Sequence, residues 1–151
     1  MNNTSTRGFT LVEILIVVSI IGMLASIVLV GLGSFRSRGR DARRAADLRE
    51  TQNALELYYS KYVSYPSVSD WDNLEQALVD AEIGVVRISD DPLGGSRHYK
   101  YGSDGQGYVI GATLEDPNNQ LLKDDIDGSG SELFNVDCGT ETGDTEYCLR
   151  F

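Results

Sequence analysis

Arg7-Gly8-Phe9-Thr10-Leu11-Val12-Glu13 runs directly into Ile14 to Phe35, a segment without one charged side chain. A single carboxylate therefore stands at the mouth of a long apolar stretch. An ionised Glu beside hydrocarbon carries an insertion penalty of roughly 2 to 3 kcal/mol, so Glu13 calls for a partner. Ile14 to Phe35 counts 22 residues, about 33 Å of helix at ~1.5 Å per residue, which matches the apolar thickness of a bilayer. A secretory signal peptide is the competing reading, but its apolar region runs to only ~7 to 15 residues and ends in a small-residue cleavage site. Here Arg36, Arg38 and Arg40 follow the run instead.

Outward from this segment, residues 40 to 62 contain no Pro or Gly and keep a helical stripe at Ala45, Leu48, Gln52, Leu55, Tyr59 and Tyr62. One helix of about fifty residues is the expectation, weakened at Gly22, Gly31, Gly33 and Gly39, each costing ~1 kcal/mol relative to Ala. Tyr65-Pro66 ends it. Ser69 or Asp70 then caps a short helix over 72–82 with Trp71, Leu74, Ala77 and Leu78 on its buried face. His98 to Gly102 and Tyr108 to Leu114 read as two strands joined by a Gly-containing turn at 103–107, and Tyr147 to Phe151 as a short last strand. The expected class is α+β: a long N-terminal helix, apolar then amphipathic, packed on a small antiparallel sheet.

The formal net charge of −10 is unevenly spread. Residues 36 to 50 carry six Arg against Asp41, Asp47 and Glu50, while residues 51 to 151 carry six basic against nineteen acidic side chains. Opposite signs along one chain could attract a neighbour shifted along a common axis, although a solvated acidic surface explains most single charges. An acidic C-terminal region also argues against direct nucleic-acid binding. The positive-inside rule would place Arg36 to Arg44 in the cytoplasm.

Gly8-Phe9-Thr10-Leu11-Val12-Glu13 followed by an apolar run resembles the processing site of the type IV pilin and type II secretion pseudopilin superfamily. The resemblance implies the pilin ladle fold, cleavage between Gly8 and Phe9 by a prepilin peptidase, and N-methylation of Phe9. It divides the chain into a leader at 1–8, a transmembrane and filament-core helix at 9–35, its amphipathic continuation at 36–65, and a globular α+β head at 66–151. Glu13 would then attract the Phe9 amine of an adjacent subunit during assembly, each charge offsetting the other's desolvation. The topology implied is the reverse of the positive-inside reading, with the head outside the cytoplasmic membrane. The arginines after Phe35 would sit near lipid phosphates before assembly and pair with carboxylates afterwards.

Cys138 and Cys148 close a loop of 11 residues that resembles the C-terminal disulfide loop of many type IV pilins. Without further Cys or His beside them, redox or metal chemistry has less to recommend it. Asp125-Ile126-Asp127-Gly128-Ser129-Gly130 fits the opening of a calcium loop, with oxygen ligands at alternate positions and Gly at the sharp turn. Its twelfth position is Val136, where a bidentate Glu belongs, so this is half a motif. Major pseudopilins bind calcium in a C-terminal loop, and the candidate ligands are Asp125, Asp127, Ser129 and Glu132; the alternative is an ordinary acidic turn. No cofactor is otherwise required. His98 is the only histidine, and no nucleophile–base pair accompanies it, so catalysis is not indicated.

The functional expectation is a structural subunit that polymerises with itself into an extracellular type IV pilus-like filament, its N-terminal helices bundled in the core. Membrane anchorage precedes assembly, and the resemblance implies an inner-membrane assembly platform with a cytoplasmic ATPase. A type II secretion or competence pseudopilin is the alternative within the family. A single-pass anchored extracytoplasmic binding domain is the alternative of another class, in which the helix is only a tether.

Overall fold

A computed structural model describes residues 8–95, 97–128, 130, 133–140 and 144–151, with backbone alone for 27–32. The first helix, α1, spans Leu11–Tyr62, and the chain divides into two compact units, Met1–Arg36 and Ser37–Phe151. In the first, the apolar side chains from Leu11 to Leu24 are each more than half exposed, with Leu11 at 79% and Met23 at 71%. An all-round apolar helix surface of this kind has no cover within its own unit. No helix among the described residues is long and apolar enough to cross a membrane.

The second unit is built on α1 from residue 37 onward. The second helix, α2, spans Trp71–Asp80 and begins where the Asp70 carboxylate accepts the Asn73 N–H, so it starts and stops earlier than the 72–82 read from sequence. Three strands follow, β1 at Lys100–Ser103, β2 at Tyr108–Thr113 and β3 at Glu146–Arg150, in the antiparallel order β1-β2-β3. His98 lies before β1 rather than in it. The β1–β2 turn closes through Asp104, whose Oδ1 accepts the N–H groups of Gln106 and Gly107 at 2.9 and 3.0 Å, and through Gly105 at φ +90°, a conformation that favours glycine. A 3-10 turn at Gln120–Lys123, which periodicity did not anticipate, lies in the long connection from β2 to β3.

Both faces of the sheet are covered, which is why five successive residues of β2 are buried instead of alternating. On one side Leu48 and Leu55 of α1 and Leu74 and Leu78 of α2 meet Tyr101, Tyr108, Ile110 and Leu114. On the other, Val109 and Cys148 meet Leu133, Val136 and Cys138. Buried rings keep their polar handles: Tyr99 donates to Asp47 Oδ2 at 2.7 Å, Tyr101 to the Pro66 carbonyl at 2.7 Å and Trp71 to the Ser89 carbonyl at 3.0 Å. The expected stripe on α1 departs at its end, since Tyr62 is 45% exposed. The buried face instead includes Asp41, Arg44, Asp47 and Thr51, polar residues that a search for apolar periodicity passes over.

These polar residues answer for much of the basic cluster. Arg44, fully buried, donates to Asp91 at 2.6 Å and 3.0 Å, to Asp41 at 2.7 Å and to Glu115 at 2.8 Å. Arg40 forms a second fork on Glu115, and Arg38 stands 3.4 Å from Asp116. Asp41 in turn accepts the N–H groups of Glu115 and Asp116. Arg38, Arg40 and Arg44 are thus paired with carboxylates of their own chain.

Burial pulls the Arg44 guanidinium's pKa down, but the hydrogen bonds it donates to Asp91, Glu115 and Asp41 outweigh it and leave Arg44 more firmly protonated than usual. Removing one partner from a buried ionic network leaves the others uncompensated, at a cost of roughly 3 to 5 kcal/mol. Arg44→Met should lower the stability of the second unit by about that amount in urea titration, whereas Arg36→Met, on an exposed residue, should cost under ~0.5 kcal/mol. The Arg40 fork, against partial burial, holds the Glu115 carboxyl down at about 2 from its ordinary 4.5. A depressed folded-state value means that the ionised form stabilises the fold, fully above pH 4.5 and progressively less as pH falls toward 2. The melting temperature should drop through that window, and Glu115→Gln should flatten this part of the profile.

Candidate functional site

Gly8, Phe9 and Thr10 precede α1 without regular structure, and Gly8 and Phe9 are exposed, Phe9 at 83%. Thr10 is where the helix begins. Its hydroxyl accepts the Glu13 N–H at 3.2 Å, while Glu13 Oε2 accepts both the Thr10 N–H and the Thr10 hydroxyl, each at 2.8 Å. This reciprocal arrangement is a capping box, and it satisfies donors that a helix start leaves open. Phe9 and Ile14, the positions flanking such a box, line one apolar groove with Leu11, Leu15 and Val18.

Glu13 therefore has a partner in its own chain, where the sequence reading looked only to a neighbouring subunit. The signal was present in Thr10-Leu11-Val12-Glu13, the Thr-x-x-Glu spacing before an apolar run. Among the described residues Oε1 of Glu13 accepts no hydrogen bond, so the carboxylate keeps one oxygen for another donor. Gly8 and Phe9 stand shortly before Glu13 in the chain, and the peptide between Gly8 and Phe9 lies outside the helix.

At the far end of the chain Cys138 and Cys148 are bonded, with their Cα atoms 5.7 Å apart. Cys148 lies in β3 opposite Gly111, where a Cβ would come within 2.7 Å of its sulfur, so the absence of a side chain at 111 makes room for the bridge. Cys148 also holds the acidic loop: its carbonyl accepts the Ile126 N–H at 3.2 Å, and its N–H donates to Asp125 Oδ2 at 3.3 Å.

Of the four candidate calcium ligands, Asp125 and Asp127 are described, and Ser129 and Glu132 lie outside the described residues. Burial, aided by the negative charges of Asp127 and Asp144, holds the Asp125 carboxyl above the ordinary aspartate range despite the Cys148 N–H. Asp144 is a neighbour that sequence spacing did not suggest. Its side chain turns to the backbone of Thr140 and Glu146. Among the described residues, no group of three or more His, Cys, Asp or Glu could hold a metal ion.

Comparison with known proteins agrees with the N-terminal geometry. A family model described as the prokaryotic N-terminal methylation motif matches residues 3–29. Type II secretion system core protein G of Klebsiella pneumoniae is 34% identical over 89 residues, 59% of this chain and 61% of that protein. The protein of the same description from Aeromonas hydrophila is 31% identical over 109 residues, 72% of this chain and 66% of its own length. Type IV major pilin protein PilA of Myxococcus xanthus is 35% identical over 71 residues, 47% of this chain and 31% of its own length. This chain covers less than two thirds of the first relatives' length, 61% and 43% for those of Klebsiella pneumoniae and Escherichia coli. No solved structure matches. With its capped helix start, long helix and three-stranded antiparallel sheet, the chain belongs to the type IV pilin and type II secretion pseudopilin superfamily.

Proposed function

We propose that this chain is a structural subunit that polymerises with copies of itself into a type IV pilus-like filament. One observation carries the reading: the apolar side chains from Leu11 to Leu24 stand uncovered in the first unit, so something else must bury them. Lipid covers them before assembly, with the second unit outside the cytoplasmic membrane, and the same helices of other copies cover them afterwards. A prepilin peptidase cuts the exposed Gly8–Phe9 peptide, and Phe9 is methylated. The free oxygen of Glu13 then receives the Phe9 amine of the next subunit, while Thr10 keeps its hold on the other. An inner-membrane platform with a cytoplasmic ATPase moves subunits from lipid into the fibre.

Relatives named for type II secretion favour a second reading, a pseudopilus in place of a surface pilus. The bridged C-terminal loop supports the pilus form. Both readings predict that sheared or overproduced filaments contain a chain starting at Phe9 with one added methyl group, and that Glu13→Ala reduces assembly by about tenfold or more. Uncut, unassembled protein in membranes, with no change on Glu13→Ala, would instead indicate an anchored binding domain.

A calcium ion in the loop at 125–132 is a further part of this proposal. Its support is the crowding of Asp125 by Asp127 and Asp144, which a divalent cation would relieve. Added calcium should raise the melting temperature, and chelation should reverse the rise. An identical melting curve under both conditions removes calcium from the account.

A further inference from the structure

The second unit carries charges that it does not pair, and the two signs stand on opposite sides of the sheet. Among its exposed basic side chains, Arg38, Arg43 and Arg87 have ion pairs, Lys61 donates to the Ala81 carbonyl, and Arg150 lies over the Phe134 ring. Arg49 and Lys123 are exposed and have no ion pair, hydrogen bond or ring contact among the described residues. Both belong to the β3 side. The charge of Arg49 reaches the Tyr147 phenol on β3, and the 3-10 turn that ends at Lys123 packs against the same strand.

The other edge of the order β1-β2-β3 borders a groove of about 470 Å³, which lies between the start of α2 and residues 135–137. Its rim is open, with Ser69, Asp72, His98, Asn135 and Asp137 all exposed. The groove is negative. Asp70 is committed to capping α2, and the Lys100 ammonium is held by Glu146 and the Asp137 carbonyl, each at 2.6 Å. The Asp72 carboxylate, by contrast, has no partner among the described residues. An unmatched anion at one edge and an unmatched cation at the other do not meet within one chain. They meet between copies placed head to tail, the heterologous contact from which open helical polymers are built.

We propose that this groove receives Arg49 of a second copy of the chain, with the guanidinium meeting Asp72 at the rim. The inference rests on the filament reading and gives it a lateral contact, separate from the pairing of Phe9 with Glu13. Arginine suits the place, because its stem covers the groove wall while its planar head stays on a carboxylate.

The test produces two full-length variants together in bacterial membranes. Ala46→Cys stands one turn before Arg49, Ser69→Cys stands on the groove rim, and both positions are exposed. A short bismaleimide should join unlike variants about tenfold more than like ones, since the contact is heterologous. Arg49→Glu in the first variant, or Asp72→Arg in the second, should cut that yield about fivefold or more, and the two reversals together should restore it. Unlike pairs with this charge dependence in membranes that form no filament uphold the contact and remove the filament. Filaments in which the pair does not cross-link, or cross-links mainly like with like, overturn the contact and leave the filament. A double reversal that fails to restore the yield overturns the pairing of Arg49 with Asp72.

Discussion

The second unit depends on a buried guanidinium. Arg44 has no exposed surface, and its three carboxylate partners come from three places: α1 itself, the stretch after α2, and the turn after β2. Asp41 is its companion, since it pairs with Arg44 and also accepts two N–H groups from Glu115 and Asp116. Hydrophobic burial alone would let α1 slide against the sheet with little penalty. A fork that must meet Asp91 and Glu115 together admits one register, because any shift strands charge in the interior. The aromatic and leucine core around Leu48, Leu55, Tyr108 and Ile110 is packed on that register.

At the other end of α1 the problem is reversed, with one carboxylate and much apolar surface. Thr10 supplies a local answer by capping the helix through Glu13, so the subunit can hold this charge by itself before any neighbour arrives. Assembly on the proposed scheme adds a donor to a carboxylate that is already half satisfied. The energetic demand on the Phe9 amine is smaller than an unpaired Glu13 would impose, and the capping box sets the direction in which the remaining oxygen is presented.

Much of the fold was readable from residues. Long runs with clear period gave α1 to within a residue or two at Tyr62, and Tyr65-Pro66 marked its end; the β1–β2 hairpin followed from its Gly-rich turn. What escaped has a common cause. Arg44 and Asp41 lie on the buried face of α1, and an apolar stripe is blind to buried polar side chains that meet partners 47 to 75 residues away. Nothing local says that the segment from Leu133 to Cys138 covers the second face of β2, so its unbroken burial was not legible in the sequence. The Thr10 cap, by contrast, was legible in its spacing and was overshadowed by the cost of Glu13 in lipid. Asp144 could not be paired with Asp125 from sequence, since β3 and the bridge bring them together.

Amide hydrogen exchange tests most directly whether the Arg44 network binds α1 and the sheet into one cooperative body. The amides of Leu48 and Leu55 on α1 and of Ile110 on β2 should open with the same free energy in the parent chain, and should lose protection by the same amount in Arg44→Met. If the Arg44→Met helix amides keep their protection while Ile110 loses its own, or if all three are unchanged, the network does not set the register and the account is contradicted.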